Sequence, residues 1–431
     1  MTDIIAQARV ILWGRLVGAV IEDTDGAITF EYDDDFRRSA LELSPIKLPL
    51  ATRGPVQFPE LRQSEAFLGL PGVLADALPD RFGNAVIRRY FEQRGEAAKA
   101  MSPVQRLLYV GPRAMGALEF QPSLEVPRRP AEQLPLDVAD LVVQSRSIIQ
   151  GKSDVAVAEI MLIGASAGGM RPKAQILWNR KTNTVKSGHA VPEPGDEQWL
   201  IKFDGVPPLG ADITTGPDPG AKPQPFMRIE YAYSIMARAA GLVLPETHLL
   251  PEREYAHFMV RRFDRVDAGR IHQHTLGGLL HVDYNVPAAV SYEEYLRTVL
   301  RLGLGREAIE EGFRRAVFNV LGVNQDDHVK NLSFLMDGAG KWALSPAYDV
   351  TYAKGHGWTR LHQMTVAGKR EGITRADLEK LGRDFGLGRR TDLVLDQVTL
   401  ALSGWEAAAA EAGVPGAWVQ RIRVELDAVE G

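Results

Sequence analysis

Eleven residues, Leu321 to Asn331, set the hardest condition on any fold for this chain. They run Leu321-Gly322-Val323-Asn324-Gln325-Asp326-Asp327-His328-Val329-Lys330-Asn331: two carboxylates, an imidazole, a cation and three amides, with apolar residues on both flanks. Ionised groups are costly to bury unless paired or hydrogen-bonded. The cluster must therefore sit in a loop held between packed elements. A helix is predicted on the upstream side, because Ile309, Phe313, Ala316, Val317 and Val320 fall on one face of Arg306–Leu321.

Periodicity divides the rest of the chain. Val10–Leu12, Leu16–Ile21 and Ile28–Tyr32 are predicted strands, with Asp25-Gly26 as a hairpin turn. Gln63 to Arg94 reads as mainly helical, interrupted by Pro71 and Pro79, and the proline-rich residues 122–137 read as a linker or surface excursion. Ala174–Trp178 and Trp199–Phe203 are predicted strands around a polar loop. A Pro/Gly-rich segment, Gly205 to Pro225, leads into a helix whose stripe is Ile229, Ala232, Tyr233, Met236 and Ala240, stopped at Gly241. His257–Phe263 reads as another strand. Ser291 with Glu294, and Thr374 with Asp377, are predicted capping boxes for two later helices. Strands first and helices later predict a two-lobed α+β protein with a ligand cleft at the joint. A length of 431 residues makes two or more domains the default.

Composition removes several classes of function. The chain has no cysteine, which excludes disulfides, thiolate metal sites and cysteine nucleophiles. A net charge of −5 argues against a surface that tracks nucleic acid as a whole, although a local basic patch is compatible with it. Met1 to Leu12 carries Asp3 and lacks the basic start and apolar run of a secretory signal, and no stretch has the ~18 apolar residues of a membrane helix. A cytoplasmic protein with no membrane partner is expected.

Four segments converge on one chemistry. Phosphoryl transfer needs a carboxylate to orient a hydroxyl and accept its proton, and oxygen ligands for Mg²⁺. Protein kinases space the base and a ligating asparagine five residues apart, the separation of Asp326 and Asn331. That offset favours Asp326 over Asp327, which either shares the work or is simply solvated. His328 reads as a residue that holds the loop, since kinases use the carboxylate as the base. Lys330 either reaches the γ-phosphate or is exposed. Downstream, Ser345-Pro346-Ala347-Tyr348-Asp349 closes an apolar, strand-like run on Asp349, a candidate second Mg²⁺ ligand. Lys202 stands inside Trp199-Leu200-Ile201-Lys202-Phe203, where a cation needs an anionic partner such as nucleotide phosphates, with Glu230 as a candidate partner otherwise. Gly164-Ala165-Ser166-Ala167-Gly168-Gly169-Met170-Arg171-Pro172-Lys173 is a glycine-rich loop able to bring backbone N–H groups to phosphate oxygens, without the Gly-Lys-Ser/Thr of a Walker A loop.

These segments together resemble the HipA-type serine/threonine kinases of bacterial toxin–antitoxin modules. The resemblance rests on the Ser166–Lys173 loop, the Lys202 strand and the Glu230 helix. It also rests on Phe258-Met259-Val260-Arg261-Arg262-Phe263-Asp264-Arg265, on Asp326-x-His328-x-Lys330-Asn331 and on Ser345–Asp349. It covers essentially the whole chain, because the opening strands and Leu78-Pro79-Asp80-Arg81-Phe82-Gly83 resemble the family's N-terminal subdomain. The resemblance implies a protein-kinase-like fold with an additional N-terminal β-rich subdomain, residues 1–125. The rest of the N-lobe would be 126–263 and a mainly helical C-lobe 264–431. It implies ATP and Mg²⁺ as cofactors, Asp326 as base, and Asn331 and Asp349 as metal ligands. Lys202 would clamp phosphate, with Gly168, Gly169, Lys173 and Lys330 also at the nucleotide, and the backbone of Arg261, Arg262 and Phe263 would meet adenine. Arg261 stands where many relatives carry glutamate, which leaves backbone recognition of adenine intact. Ser166 falls where the family carries an autophosphorylated serine; from the residues alone it is equally a small turn residue. A phosphate there would be repelled from a loop built to hold ATP phosphates. The implied partners are a HipB-like helix-turn-helix antitoxin, which binds operator DNA for the complex, and a protein substrate from the translation apparatus such as an aminoacyl-tRNA synthetase.

Two rival readings use the same residues. A catalytically silent corepressor would bind the antitoxin alone, but it would be free to lose one of Lys202, Asp326, Asn331 and Asp349, and none is lost. A small-molecule or lipid phosphotransferase needs the same electrostatic parts, because they serve any hydroxyl acceptor. His272, His274, His281 and Asp283 are close in sequence, yet no acidic partner stands at helical spacing to them, and they do not read as a metal site.

Overall fold

The structure, a computed structural model, describes residues 3–79, 81–93, 101–123, 135–149, 172–206, 224–266 and 269–430. The chain forms two compact units that interleave along the sequence. The first comprises Met1–Leu41, Pro49–Met227 and His248–His272; the second comprises Glu42–Leu48, Arg228–Thr247 and Gln273–Gly431.

The first unit holds two sheets. Strands β1 (Ile4–Leu12), β2 (Arg15–Asp23), β3 (Ile28–Tyr32) and β4 (Leu118–Gln121) form an antiparallel sheet in the order β3-β2-β1-β4. Its β2–β3 turn falls where Asp25-Gly26 predicts it: the Asp23 carboxylate accepts from Asp25 N (3.0 Å) and Ala27 N (2.8 Å), and Gly26 takes φ +71°. The helix Pro103–Val110 opens with a capping box between Ser102 and Gln105, and Glu22 accepts from Val104 N at 3.2 Å. Residues 63–94 meet the helical expectation in their later part: among the described residues helix stands at Gly72–Ala75, after Pro71, and at Arg81–Gln93, after Pro79. Residues 63–70 depart from it, with left-handed backbone at Leu68 and Gly69 (φ +53° and +86°) turning the chain first. The second sheet has β5 (Lys173–Asn179), β6 (Thr184–Ser187), β7 (Asp196–Lys202), β8 (Thr247–Glu252) and β9 (Tyr255–Arg261) in the order β6-β5-β7-β9-β8. A short hairpin follows, β10 (Arg265–Val266) with β11 (Gly269–Arg270).

A buried ionic cluster ties these pieces of the first unit together. Asp264 receives two bonds from Arg262 (3.0 and 2.8 Å), one from Arg265 (2.7 Å) and one from Gly116 N (2.7 Å). Arg262 also reaches Gln175 on β5, and Arg265 donates to the carbonyls of Gly116 and Ala114 beside β4. Burial by itself would raise the Asp264 carboxyl, but the two guanidiniums outweigh it and hold it well below the ordinary carboxylate range.

In the second unit the helix Phe226–Ala239 buries Ile229, Ala232, Tyr233 and Met236, with Gly241 at φ +83° past its end. β12 (His272–Thr275), where the chain passes from the first unit into the second, joins β13 (Ser333–Met336) and β14 (Trp342–Leu344) in a small sheet. Helices Leu276–Leu280, Tyr292–Arg301, Gly305–Leu321, Arg375–Asp384, Arg389–Ser403, Trp405–Ala412 and Gly416–Glu430 follow in this unit. The Thr374–Asp377 capping box is reciprocal. At Ser291 only the hydroxyl half forms, because the Glu294 carboxylate turns to Arg297 (3.2 Å) and Arg301 (3.0 Å). Among the described residues no helix is long and apolar enough to cross a membrane.

Candidate functional site

The helix Gly305–Leu321 delivers the chain to the polar loop. Its face of Ile309, Phe313, Ala316, Val317 and Val320 is buried, and Tyr233 donates to Gly322 O at its end (3.0 Å). Val323 then takes φ +55°, a left-handed conformation that a β-branched side chain rarely adopts. Strain of this kind persists only where surrounding contacts impose it. Here they do: Ala353 N donates to Val323 O (3.1 Å), Gln325 N donates to Ala353 O (2.9 Å), and Asn324 N donates to Asn319 O (2.9 Å).

The adjacent carboxylates have different environments. Asp327 is buried, and its oxygens accept from Gln363 N (2.7 Å) and Tyr292 Oη (2.8 Å), with His362 Nδ1 3.0 Å away. Asn319 supports Tyr292 (2.9 Å) and Asn324 supports Asn319 (2.9 Å), so Asp327 anchors a buried polar chain. The Asp326 side chain is 42% exposed, and Trp358 Nε1 donates to its Oδ1 at 2.8 Å, with His328 Nε2 3.9 Å away. The walls around the Asp326 carboxyl desolvate it and raise its pKa, and the carboxylates of Asp349 and Asp327 add to this against the pull of His328 and Trp358.

Asn331 closes the loop. Its Nδ2 donates to Asp326 O (2.9 Å), which leaves the amide oxygen as its ligating atom. Asp349 does not end a strand as expected. β14 stops at Leu344, and Asp349 lies in the following loop at φ +53°, with its carbonyl accepting from Asn324 (3.4 Å). Arg315 donates to Ser345 O (2.6 Å) and Tyr348 Oη to Lys330 O (2.7 Å), which fixes both ends of this loop. Asn331 and Asp349 line one pocket of about 330 Å³, open mouth included, together with Asp327, His328, Asn324 and Arg315. With the Asp327 carboxylate taken up by its own hydrogen bonds, the Asp349 carboxylate and the Asn331 amide oxygen form a donor set that suits Mg²⁺, which takes few protein ligands and completes its shell with phosphate and water. Among the described residues no cluster of three or more His, Asp or Glu could hold a metal by itself. Lys330 Nζ lies 5.2 Å from the Tyr284 ring centroid, and Tyr284 also neighbours His328. His274 Nε2 lies 3.0 Å from Ser44 Oγ.

The remaining sequence candidates stand on other elements. Lys202 ends β7, buried, directly across from Lys173 on β5 and from Phe258 on β9, with its Nζ 5.7 Å from the Phe258 ring. Arg261 ends β9 with an exposed side chain, Arg262 is locked onto Asp264, and Phe263 is half-buried. Glu230 is buried on its helix in the second unit. Ser166, Gly168 and Gly169 fall outside the described residues. Sequence reasoning assigned no part to Trp358, His362, Gln363 or Tyr292. The one local signal was Gly355-His356-Gly357-Trp358, an aromatic following two glycines a few residues beyond Asp349.

These elements define a mixed α/β protein with a protein-kinase-like fold. HipA of Shewanella oneidensis MR-1, solved with HipB and its operator DNA, shares that fold at a TM-score of 0.66 over 97% of this chain and 95% of its own, with 17% identity. The HipA-like C-terminal domain model matches residues 165–405, and the HipA N-terminal domain model matches residues 8–121. The chain belongs to the HipA family. A candidate kinase of Haemophilus influenzae is 28% identical over 202 residues, 43% of this chain and 52% of that protein. A second candidate kinase, from Sinorhizobium fredii, is 26% identical over 196 residues, 41% and 48% of the two chains. The chain thus spans about half the length of the curated relatives it matches.

Proposed function

We propose that this chain is an ATP- and Mg²⁺-dependent serine/threonine protein kinase, the toxin of a HipBA-like toxin–antitoxin module. The observation that carries the reading is the contrast between neighbours. Asp327 is consumed by hydrogen bonds, while Asp326 keeps a partly open carboxylate within electrostatic reach of Asp349, which lines a pocket with Asn331. In the proposed reaction the acceptor hydroxyl oxygen bonds to the γ-phosphorus, its proton passes to Asp326, and the bond from phosphorus to the β–γ bridging oxygen breaks to release ADP. Mg²⁺ held by Asn331 and Asp349 would neutralise charge on the transferring phosphoryl group. Lys202 would hold the α/β-phosphates, with Lys173, Gly168, Gly169 and Lys330 adding donors, and the backbone of Arg261–Phe263 would meet adenine. The functional division accompanying this reading is 1–125, 126–263 and 264–431.

On the same reading the protein works in the cytoplasm, self-phosphorylates at Ser166 and takes its target from the translation machinery, an aminoacyl-tRNA synthetase being the expected class. A HipB-like partner would supply the basic surface for operator DNA that a net charge of −5 does not suggest here. The decisive experiment follows transfer of labelled γ-phosphate by wild type and by Asp326→Asn, with circular dichroism as a check on folding. A fall of roughly 10²-fold or more in the variant is expected. Equal, negligible labelling in both would instead indicate a non-catalytic antitoxin-binding protein.

A further inference from the structure

The segment after Asp349 is bound to the loop of Asp326 and Asp327 by more contacts than a connection requires. Trp358 Nε1 donates to Asp326 Oδ1 (2.8 Å), Gln363 N donates to Asp327 Oδ1 (2.7 Å), and His362 Nδ1 lies 3.0 Å from Asp327 Oδ2. Gln363 Nε2 lies within 2.7 Å of the carbonyls of Trp358 and Leu361 and 3.1 Å from that of Gln325. With its amide turned to donate, Gln325 reaches Thr359 O at 2.8 Å. Residues 358–363 are therefore bracketed from both sides, and Trp358 is held against Asp326 by its own backbone.

We infer that Trp358 is the positioning residue of the general base, with Gln363 as its bracket. An indole N–H donates and never accepts, so it fixes Oδ1 without offering the proton a route onward. The other carboxylate oxygen, Oδ2, is then the one presented to the acceptor hydroxyl. A partly exposed carboxylate without this bond rotates about its last torsion, whose minimum is broad. The Asp326 backbone is already set by His328 N and Asn331 Nδ2, both on its carbonyl, which leaves the side-chain torsion for Trp358 to settle. Orientation of a reacting group to within a fraction of an ångström governs rate far more than binding.

The inference rests on the kinase reading, and its test separates the two. Mg-ATP turnover is measured for wild type, Asp326→Asn, Trp358→Phe, which keeps a ring but no N–H, and Trp358→His, which restores a donor. Nucleotide affinity and thermal midpoint are recorded alongside. In the nucleotide-free protein, the indole N–H resonance that disappears in Trp358→Phe is followed in Asp326→Ala. The expected result is a fall in kcat of roughly ten-fold or more in Trp358→Phe. KM for ATP and the thermal midpoint stay near wild type, Trp358→His recovers part of kcat, and the indole resonance moves in Asp326→Ala. If turnover needs Asp326 but Trp358→Phe keeps its kcat, or loses kcat only together with nucleotide affinity and stability, the positioning role is overturned and the kinase reading stands. If wild type shows no turnover dependent on Asp326, the kinase reading fails and this inference falls with it.

Discussion

Asp326 and Asp327 are chemically identical side chains one position apart, and their surroundings give them different work. Charge-assisted hydrogen bonds contribute about 1.5–3 kcal/mol each, and a buried partner left without one costs a comparable amount. Asp327→Asn disturbs three such contacts at a buried carboxylate, so unfolding in urea should show a loss of about 2–4 kcal/mol. Asp326→Asn disturbs one contact at a partly open carboxylate and should cost less than about 1 kcal/mol while removing activity. The five-residue offset to Asn331 pointed to Asp326 from sequence. Why Asp327 is unsuited to the same task was not legible there, because Tyr292, His362 and Gln363 approach it from about 35 residues away on either side.

At the scale of elements, the Arg-Arg-Phe-Asp-Arg run joins β9 to the hairpin β10–β11, binds the β4 region of the same unit through Asp264 and Arg265, and binds β5 through Arg262. Removing one partner of a buried ionic cluster leaves uncompensated charge, at about 3–5 kcal/mol. Asp264→Asn is expected to lose stability of that order at neutral pH. Because the folded carboxyl is held below its unfolded value, its contribution is complete above the unfolded pKa, about 3.9, and is lost as pH falls through the folded value. The gap between wild type and Asp264→Asn, followed by denaturation from pH 7 down to pH 2, should therefore begin to narrow near pH 4. An unchanged gap at pH 2 would assign the cluster's contribution to packing instead. Some elements lie within a residue of their predicted limits, as at Gly305–Leu321 and Ile28–Tyr32, whereas β1 and β7 begin well before the expected Val10 and Trp199. Residues 63–70 misled, since the left-handed backbone at Leu68 leaves no mark in an apolar pattern.

For the whole molecule, a ligand that binds only the folded protein stabilises it in proportion to the logarithm of its concentration, about 2.7 kcal/mol at a hundred-fold excess over Kd. On the kinase reading, Mg-ATP should raise the thermal midpoint. Lys202→Ala should reduce that rise with or without magnesium, and Asp349→Asn should abolish only the part that magnesium adds. A rise unaffected by both variants would place the nucleotide elsewhere.

Residue order alone pointed to the chemistry proposed for this chain. The spacing of Asp326 and Asn331, the lysine within an apolar strand and the absence of cysteine are local facts that need no coordinates. Apolar periodicity likewise set most elements, because it states which face of each must leave water. Only tertiary structure decided that Asp349 stands in a strained loop rather than at a strand end, and that Trp358 donates to the Asp326 carboxylate. It also decided that Asp264 is a hub of the first unit. Each depends on contacts between residues far apart in the chain, and a hydrogen bond formed that way leaves no period in the sequence to be seen.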